Sequence, residues 1–130
     1  MKKAAPFLMF QGNAEEAINF YVDKFKEAEL KSMTYYQANG AGTEGEVASA
    51  VFAVKGQEFM SFDSPIKHQF DFTPSFSVFI TCESEDEIDT LYAKLLEDGH
   101  PLMPIGAYGF SKKFGWVNDR FGVSWQLNLE

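Results

Sequence analysis

Cysteine and basic residues are scarce in this 130-residue chain, and each scarcity excludes a class of protein. A single cysteine, Cys82, cannot form an internal disulfide, so a fold held together by disulfides is excluded. The chain has 11 Lys and Arg against 19 Asp and Glu, and the resulting formal charge of −8 repels phosphate backbones and anionic lipid surfaces. We therefore expect no nucleic-acid partner.

Long apolar runs are also missing. After two lysines, the apolar run at 4–10 is too short to cross a bilayer, and no small-residue cleavage site follows it. We therefore expect no membrane partner and a cytoplasmic location. Apolar residues still make up 45% of the chain, with 14 Phe, which is enough to build the core of one domain of this size.

Two segments carry the signature of a helix start. Asn13 begins the sequence NAEE, which offers a capping side chain with Glu three positions on, and Ser84 begins the similar sequence SEDE about 70 residues later. The second helix should end at Asp98 and Gly99. Apolar residues follow each start with helical spacing: Ile18, Tyr21, Val22 and Phe25 in the first, and Ile88, Leu91, Tyr92 and Leu95 in the second.

Apolar runs typical of β-strands surround each predicted helix. One run precedes each helix, at 6–10 and 76–81, and three runs follow it, at 28–36, 47–54 and 58–63 and then at 102–108, 113–118 and 123–129. Glycine-containing turns at 55–57 and 119–122 separate neighbouring runs. The pattern predicts an α+β fold in which a βαβββ unit occurs twice, at about 1–65 and 74–130. Because about 65 residues alone are only marginally stable, we expect a single domain over 1–130 whose paired curved sheets surround a cleft.

Two sequence segments carry a family resemblance. LMFQGNAEEAINFY at 8–21 resembles the opening of PhnB-like proteins, and FGWVNDRFGVSWQL at 114–127 resembles their ending. These proteins are a branch of the glyoxalase/bleomycin-resistance (vicinal oxygen chelate) superfamily, so the resemblance implies that fold and a homodimer. Members are often labelled 3-demethylubiquinone-9 3-methyltransferase, yet the chain has no glycine-rich strand-to-helix turn for a nucleotide cofactor.

The resemblance also implies where a metal ion would be held. Metal-dependent members of the superfamily bind a divalent ion through His, Gln or Glu on the first and last strands of each half. The corresponding positions here are Pro6 or Leu8, Ser61 or Asp63, Ser77, and Gln126. A catalytic ion needs about three protein ligands, so we expect no tightly held metal and no other cofactor. His68 and His100 lie outside the predicted sheet interiors and are not expected to be ligands.

A set of polar and aromatic side chains should line the cleft. It comprises Asp63, Ser77, Phe79, Trp116 and Gln126. Alternation along the strands places Ser77, Phe79 and Gln126 opposite the side chains that should pack on a helix, and the resemblance implies that this polar face carries the ligands in metal-binding relatives. Such a mixture is typical of small-molecule sites; the alternative is that the polar side chains simply face solvent. Trp116 could equally fill the core, and Asp63 could be a base or a strand-end cap. Lys112 and Lys113 could attract an anion or be solvated.

The favoured function is a metal-independent protein that binds a small molecule in this cleft, which leaves open whether it is an enzyme. One alternative is a divalent-metal-dependent lyase, isomerase or dioxygenase, because a one-residue error in strand register would exchange the two faces. A second alternative is a resistance protein that sequesters a drug or toxin without reacting with it. Cys82 should lie on the helix-facing side of its strand, where a thiol is inert.

Overall fold

Two βαβββ units, Met1–His68 and Gln69–Glu130, make up the computed structural model, which describes residues 1–130. The elements of the first unit are β1 (Phe7–Phe10), α1 (Ala14–Lys24), β2 (Ala28–Tyr35), β3 (Val47–Val54) and β4 (Gln57–Asp63). Those of the second are β5 (Val78–Cys82), α2 (Glu85–Leu96), β6 (His100–Tyr108), β7 (Ser111–Asn118) and β8 (Ser124–Leu129). The predicted element order is therefore confirmed. Neither helix has the length and apolar composition that crossing a bilayer requires.

The two sheets have the same topology. Their strand orders are β1-β4-β3-β2 and β5-β8-β7-β6. In each unit, the strand before the helix pairs in parallel with the last strand, and the remaining pairs are antiparallel. This shared order is what a duplicated unit predicts, and it places the first and last strands of each unit side by side.

The predicted turns form as their residues dictate. Lys55 and Gly56, with φ of 48° and 80°, form the two-residue loop of the β3–β4 hairpin, where both central residues need positive φ. Before β8, the Gly122 N–H donates to the Asp119 carbonyl at 2.9 Å. The Asp119 carboxylate also accepts the indole N–H of Trp125 at 2.9 Å, so this turn is tied to the first residues of β8.

One face of each sheet, here called the helix face, packs against the helix of its own unit, and the other is called the open face. In the first unit, Phe52 stacks on Tyr21 of α1 and on Phe59 of β4, with ring centroids 5.6 and 5.1 Å apart. Each such buried side chain contributes about 1.5–3 kcal/mol through the apolar surface it removes from water. The largest fully buried apolar side chains of the second unit are Ile88, Leu95, Val117, Trp125 and Leu127.

The two helices start in different ways. At α2, the Ser84 hydroxyl accepts the Glu87 N–H at 3.1 Å, which confirms the predicted cap. At α1, the Asn13 side chain makes no capping hydrogen bond, so the prediction of a cap there was wrong. Asp63 of β4 takes its place, because its buried Oδ1 accepts the Ala14 N–H at 3.0 Å.

Candidate functional site

The open face of the second sheet brings together four of the five residues predicted to line the cleft. In the strand register, Gln126 of β8 lies between Phe79 of β5 and Trp116 of β7. Ser77 lies just before β5, and Gln126 Nε2 donates to its Oγ at 2.8 Å. We call the surface formed by Ser77, Phe79, Trp116 and Gln126 the amide–aromatic face.

Neighbouring residues show which way these side chains point. Gly115, next to Trp116, lies so close to the Tyr92 ring of α2 that a Cβ atom would not fit between them. The residues on both sides of Gln126 are fully buried, whereas Phe79 is 55% exposed. Because successive strand residues point to opposite sides of a sheet, the amide–aromatic face points away from α2, as the strand alternation predicted.

Hydrogen bonds hold the polar groups of this face in place. The Trp116 indole N–H donates to the Ser124 hydroxyl at 2.8 Å, and Ser124 is only 2% exposed. The bond from Gln126 Nε2 to Ser77 leaves the Gln126 Oε1 atom without a partner. The four residues include no carboxylate, imidazole or thiol, so they can bind and orient a molecule, but none of them is a general base that could activate the Ser77 hydroxyl.

An aromatic cluster extends the same face toward the β6–β7 hairpin, and the sequence reasoning missed it. Phe114 is 3% exposed, with its ring centroid 4.9 Å from that of Phe110, 6.0 Å from Tyr108 and 6.5 Å from Phe79. Phe110, at the tip of the hairpin, is 67% exposed. The available signal was alternation, since Phe114 is two residues from Trp116 and therefore points to the same side.

Asp63, the fifth predicted residue, lies on the helix face of the first sheet and not on its open face. Its side chain is 1% exposed; Oδ1 accepts the N–H groups of Gly12 and Ala14, and Oδ2 accepts that of Val47, all within 3.0 Å. The partly exposed residues of β4 are the alternate ones, including Phe62. The register expected for this strand is thus corrected by one residue, and the contacts of Asp63 support the strand-end cap.

The residues at the implied metal positions do not fit a divalent ion. In the first unit, the Ser61 hydroxyl donates to the Leu8 carbonyl at 2.9 Å, and the Leu8 side chain is buried. The neighbouring β1 residue with an exposed side chain is Phe7, which has no ligand atom. In the second unit, Ser77 and Gln126 bond to each other. No three His, Cys, Asp or Glu side chains form a group that could hold a metal ion, and such side chains are the usual ligands of these ions.

The paired lysines point to opposite sides of β7. Lys113 reaches the helix side, where Nζ lies 2.8 Å from Asp89 and 3.0 Å from Glu85 of α2. These hydrogen bonds, with that to Asp89 the stronger cause, raise the pKa of Lys113 above its ordinary value. Lys112 is exposed at the hairpin end of the strand. The Lys113 charge is therefore already neutralised by α2 and does not serve an anionic ligand on the open face.

Cys82 and the two histidines are not among the residues of the amide–aromatic face. Cys82 is 4% exposed on the helix side of β5, as predicted, and burial raises the pKa of its thiol to about 11, with a smaller contribution from Glu87. His68 belongs to the first unit, where its Nε2 lies 3.1 Å from the Ser64 hydroxyl. His100 is an exposed residue at the start of β6.

Comparison with known proteins places these features in a wider group. Residues 2–128 match the family model described as 3-demethylubiquinone-9 3-methyltransferase. A PhnB protein from Bacillus cereus, described as a candidate 3-demethylubiquinone-9 3-methyltransferase, is 55% identical, with a TM-score of 0.95 over 99% of this chain and 100% of its own. Protein PA1353 from Pseudomonas aeruginosa is 26% identical, with a TM-score of 0.87 over 100% and 98% of the two chains.

A more distant structure shares the fold. The glyoxylase/bleomycin resistance protein/dioxygenase domain from Frankia sp. EAN1pec is 11% identical to this chain, with a TM-score of 0.69 over 99% of this chain and 97% of its own. At this identity the likeness concerns the fold alone. No curated protein matches the chain.

Proposed function

Since the chain belongs to the 3-demethylubiquinone-9 3-methyltransferase family of PhnB-like proteins and has the glyoxalase/bleomycin-resistance fold, we propose that it binds a small molecule on the amide–aromatic face without a resident metal. One observation carries this proposal. Gln126 lies between Phe79 and Trp116, is held by Ser77, and keeps its Oε1 atom without a partner. Apolar walls with a few oriented polar groups are the usual composition of small-molecule sites.

Methyl transfer is not part of the proposal, although the family description names a methyltransferase. Both strand-to-helix connections, at 11–13 and 83–84, lack the glycine-rich sequence of a nucleotide-binding turn, and both sheets are mixed rather than parallel. The four residues of the amide–aromatic face also offer no general base. We therefore propose binding, and treat turnover as a question for the experiment.

The first experiment is a thermal melt of the purified protein after treatment with a chelator. The protein is titrated with Ni²⁺, Zn²⁺, Mn²⁺ and Co²⁺, and in parallel with a library of small organic compounds. A ligand at a hundredfold excess over its Kd stabilises the native state by about 2.7 kcal/mol, which raises the Tm of a domain this size by several degrees. We expect such a shift with organic compounds and none with any ion. A shift with one ion would overturn the metal-free proposal and favour a lyase, isomerase or dioxygenase.

Variants then locate the binding site. Gln126→Ala and Trp116→Ala should each abolish the Tm shift that a bound compound produces, because they remove the amide and one aromatic wall. Gln57→Ala is the matched control, since Gln57 is an exposed glutamine at the β3–β4 hairpin. A compound whose shift survives both site variants would contradict the proposed location. Mass spectrometry of the bound compound after incubation distinguishes an enzyme, which releases product, from a protein that only sequesters its ligand.

We also propose that the protein is a homodimer, as its resemblance to PhnB-like proteins implies, and that it is cytoplasmic. We propose no nucleic-acid or lipid partner, because the four residues of the amide–aromatic face carry no positive charge that would bind phosphate groups. The net charge of −8 also argues against these two partners, because it opposes binding to polyanions.

A further inference from the structure

None of the four residues of the amide–aromatic face is charged. Its central row consists of Phe79, Gln126 and Trp116, which are neighbours in the strand register, and Met103 of β6 is the next neighbour beyond Trp116. Of the two β7 lysines, Lys113 points to the helix side and is held there by Asp89 and Glu85. Lys112 points to the open side but lies at the hairpin end of β7, four residues along the strand from Trp116. An ion placed on this row would lose hydration without gaining a counter-charge, so binding a neutral group there is more favourable.

The hydrogen-bonding atoms of the face have a defined polarity. Gln126 Nε2 is used by the Ser77 oxygen at 2.8 Å, so the amide offers a ligand only its Oε1 atom, which is an acceptor. The Ser77 oxygen accepts that bond, so its hydroxyl hydrogen is free to donate. The Gln126 acceptor and the Ser77 donor thus lie next to each other. A ligand that bonds to both must present a donor beside an acceptor.

The side chains around these atoms favour a flat ring. Phe79 and Trp116 lie on the two strands next to Gln126, so a planar molecule whose edge meets the amide can contact both aromatic side chains. The Trp116 indole is held by its bond to Ser124, which limits the rotamers it can adopt and lowers the entropy cost of stacking.

Resting on the proposed function, we propose that the ligand is a neutral planar compound with an N–H and a C=O side by side on one edge, as in a lactam, a pyrimidinone or a primary aromatic amide. Its N–H donates to Gln126 Oε1, and its carbonyl accepts the Ser77 hydroxyl. Its ring lies against Phe79 and Trp116.

Nitrogen-15 NMR of the whole protein tests this class with small probes. Benzamide and 2-pyridone carry the proposed edge, N,N-dimethylbenzamide lacks the donor, benzoate is an anion and benzylammonium is a cation. We expect benzamide and 2-pyridone to shift the Gln126 side-chain amide and Trp116 indole resonances, and the other three to bind at least about tenfold more weakly. Trp125 is the internal control, since it is the only other tryptophan and is fully buried.

Two variants test the hydrogen bonds separately. Gln126→Leu should remove the preference for benzamide over N,N-dimethylbenzamide, and Ser77→Ala should weaken both compounds through the lost donor to the carbonyl. Gln57→Leu is the matched control for the first, and Ser77→Ala keeps the test decisive if Gln126→Leu does not fold.

The outcomes separate the ligand class from the proposed function. Binding of benzoate or benzylammonium as tight as that of benzamide would overturn the class. So would a library compound that lacks the edge and yet binds in a Trp116-dependent way while benzamide and 2-pyridone do not bind. If no compound perturbs Gln126 or Trp116, the proposed function itself fails.

Discussion

The Asp63 carboxylate accepts three backbone N–H groups from two different parts of the first unit, the start of α1 and the start of β3. Hydrogen bonds to a buried charged group contribute about 1.5–3 kcal/mol each to stability, and a buried N–H left without an acceptor costs about 1–3 kcal/mol. Asp63→Asn turns one acceptor oxygen into a donor that faces an N–H. We expect it to lower the free energy of unfolding by at least about 2 kcal/mol in urea denaturation.

A charge-matched control separates this effect from a general loss of negative charge. Glu58→Gln, on the same strand, removes a partly exposed carboxylate that pairs with Lys3 and Lys31, and it should change stability little. Hydrogen exchange at the Ala14 and Val47 amides should accelerate in Asp63→Asn alone. Equal stability of the two variants would contradict the role assigned to Asp63.

The buried Cys82 thiol gives a prediction about reactivity and pH. Burial raises its pKa from an ordinary value of 9.0 to about 11, so at pH 8 the native protein should react with iodoacetamide far more slowly than the urea-unfolded chain. The native state keeps a proton that the unfolded chain releases. The contribution of this group to stability is therefore present below pH 9 and is lost as the pH rises toward 11. Native labelling as fast as in urea would contradict this account.

At the scale of elements, the unlike starts of α1 and α2 predict unlike effects of the same type of substitution. Ser84→Ala removes a capping hydrogen bond and should cost about 1 kcal/mol of stability. Asn13→Ala removes no such bond and should cost much less. Thermal or chemical denaturation of the two variants measures the difference, and an equal loss would show that Asn13 also caps its helix.

The contact between β7 and α2 depends on a missing side chain. A Cβ at Gly115 would overlap the Tyr92 ring, and that ring is fixed because its hydroxyl donates to the Met103 carbonyl at 3.1 Å. We expect Gly115→Ala to destabilise the protein by about 1–3 kcal/mol, as overpacking usually does. Gly109→Ala, in the β6–β7 hairpin, meets no atom within 4 Å and is the control, expected to be nearly neutral. A neutral Gly115→Ala would mean that the ring can move away.

Strand order, helix position and most strand bounds were predictable, and the side-chain register was predictable only where polar and apolar residues alternate. The last strand, SWQLNL, alternates strictly, so the side to which Gln126 points follows from its neighbours. The strand EFMSFD around Ser61 has apolar residues on both of its sides, so alternation does not show which side faces the helix. Asp63 was therefore placed in the cleft only from the ligand position that the family resemblance implies, and alternation could not correct that placement. The cap of α1 was unpredictable for another reason, since its acceptor lies 49 residues from the N–H it binds.

For the whole molecule, exposed apolar side chains bear on its assembly. Five large apolar side chains from residue 66 onward are more than half exposed: Ile66, Phe70, Phe76, Phe79 and Phe110. Side chains of this kind often mark an interaction surface when they are contiguous, and the family resemblance implies a homodimer. Light scattering coupled to gel filtration should therefore give twice the chain mass of 14.7 kDa. A single-chain mass across the micromolar range would contradict the homodimer.

Because Asp63 supplies the acceptor at the start of α1, the two helices acquire their N-terminal hydrogen bonds at different times during synthesis. The α2 cap is made within one helical turn, so it can form as soon as that segment leaves the ribosome. The α1 start has to wait until β4, 49 residues further along, has been synthesised and has returned to it. Bringing such distant residues together costs conformational entropy of loop closure before the hydrogen bond can form and offset it. Although α1 is synthesised before α2, its first turn is expected to become stable only after Asp63 has been synthesised. A ribosome that stalls before Asp63 would leave the start of α1 frayed.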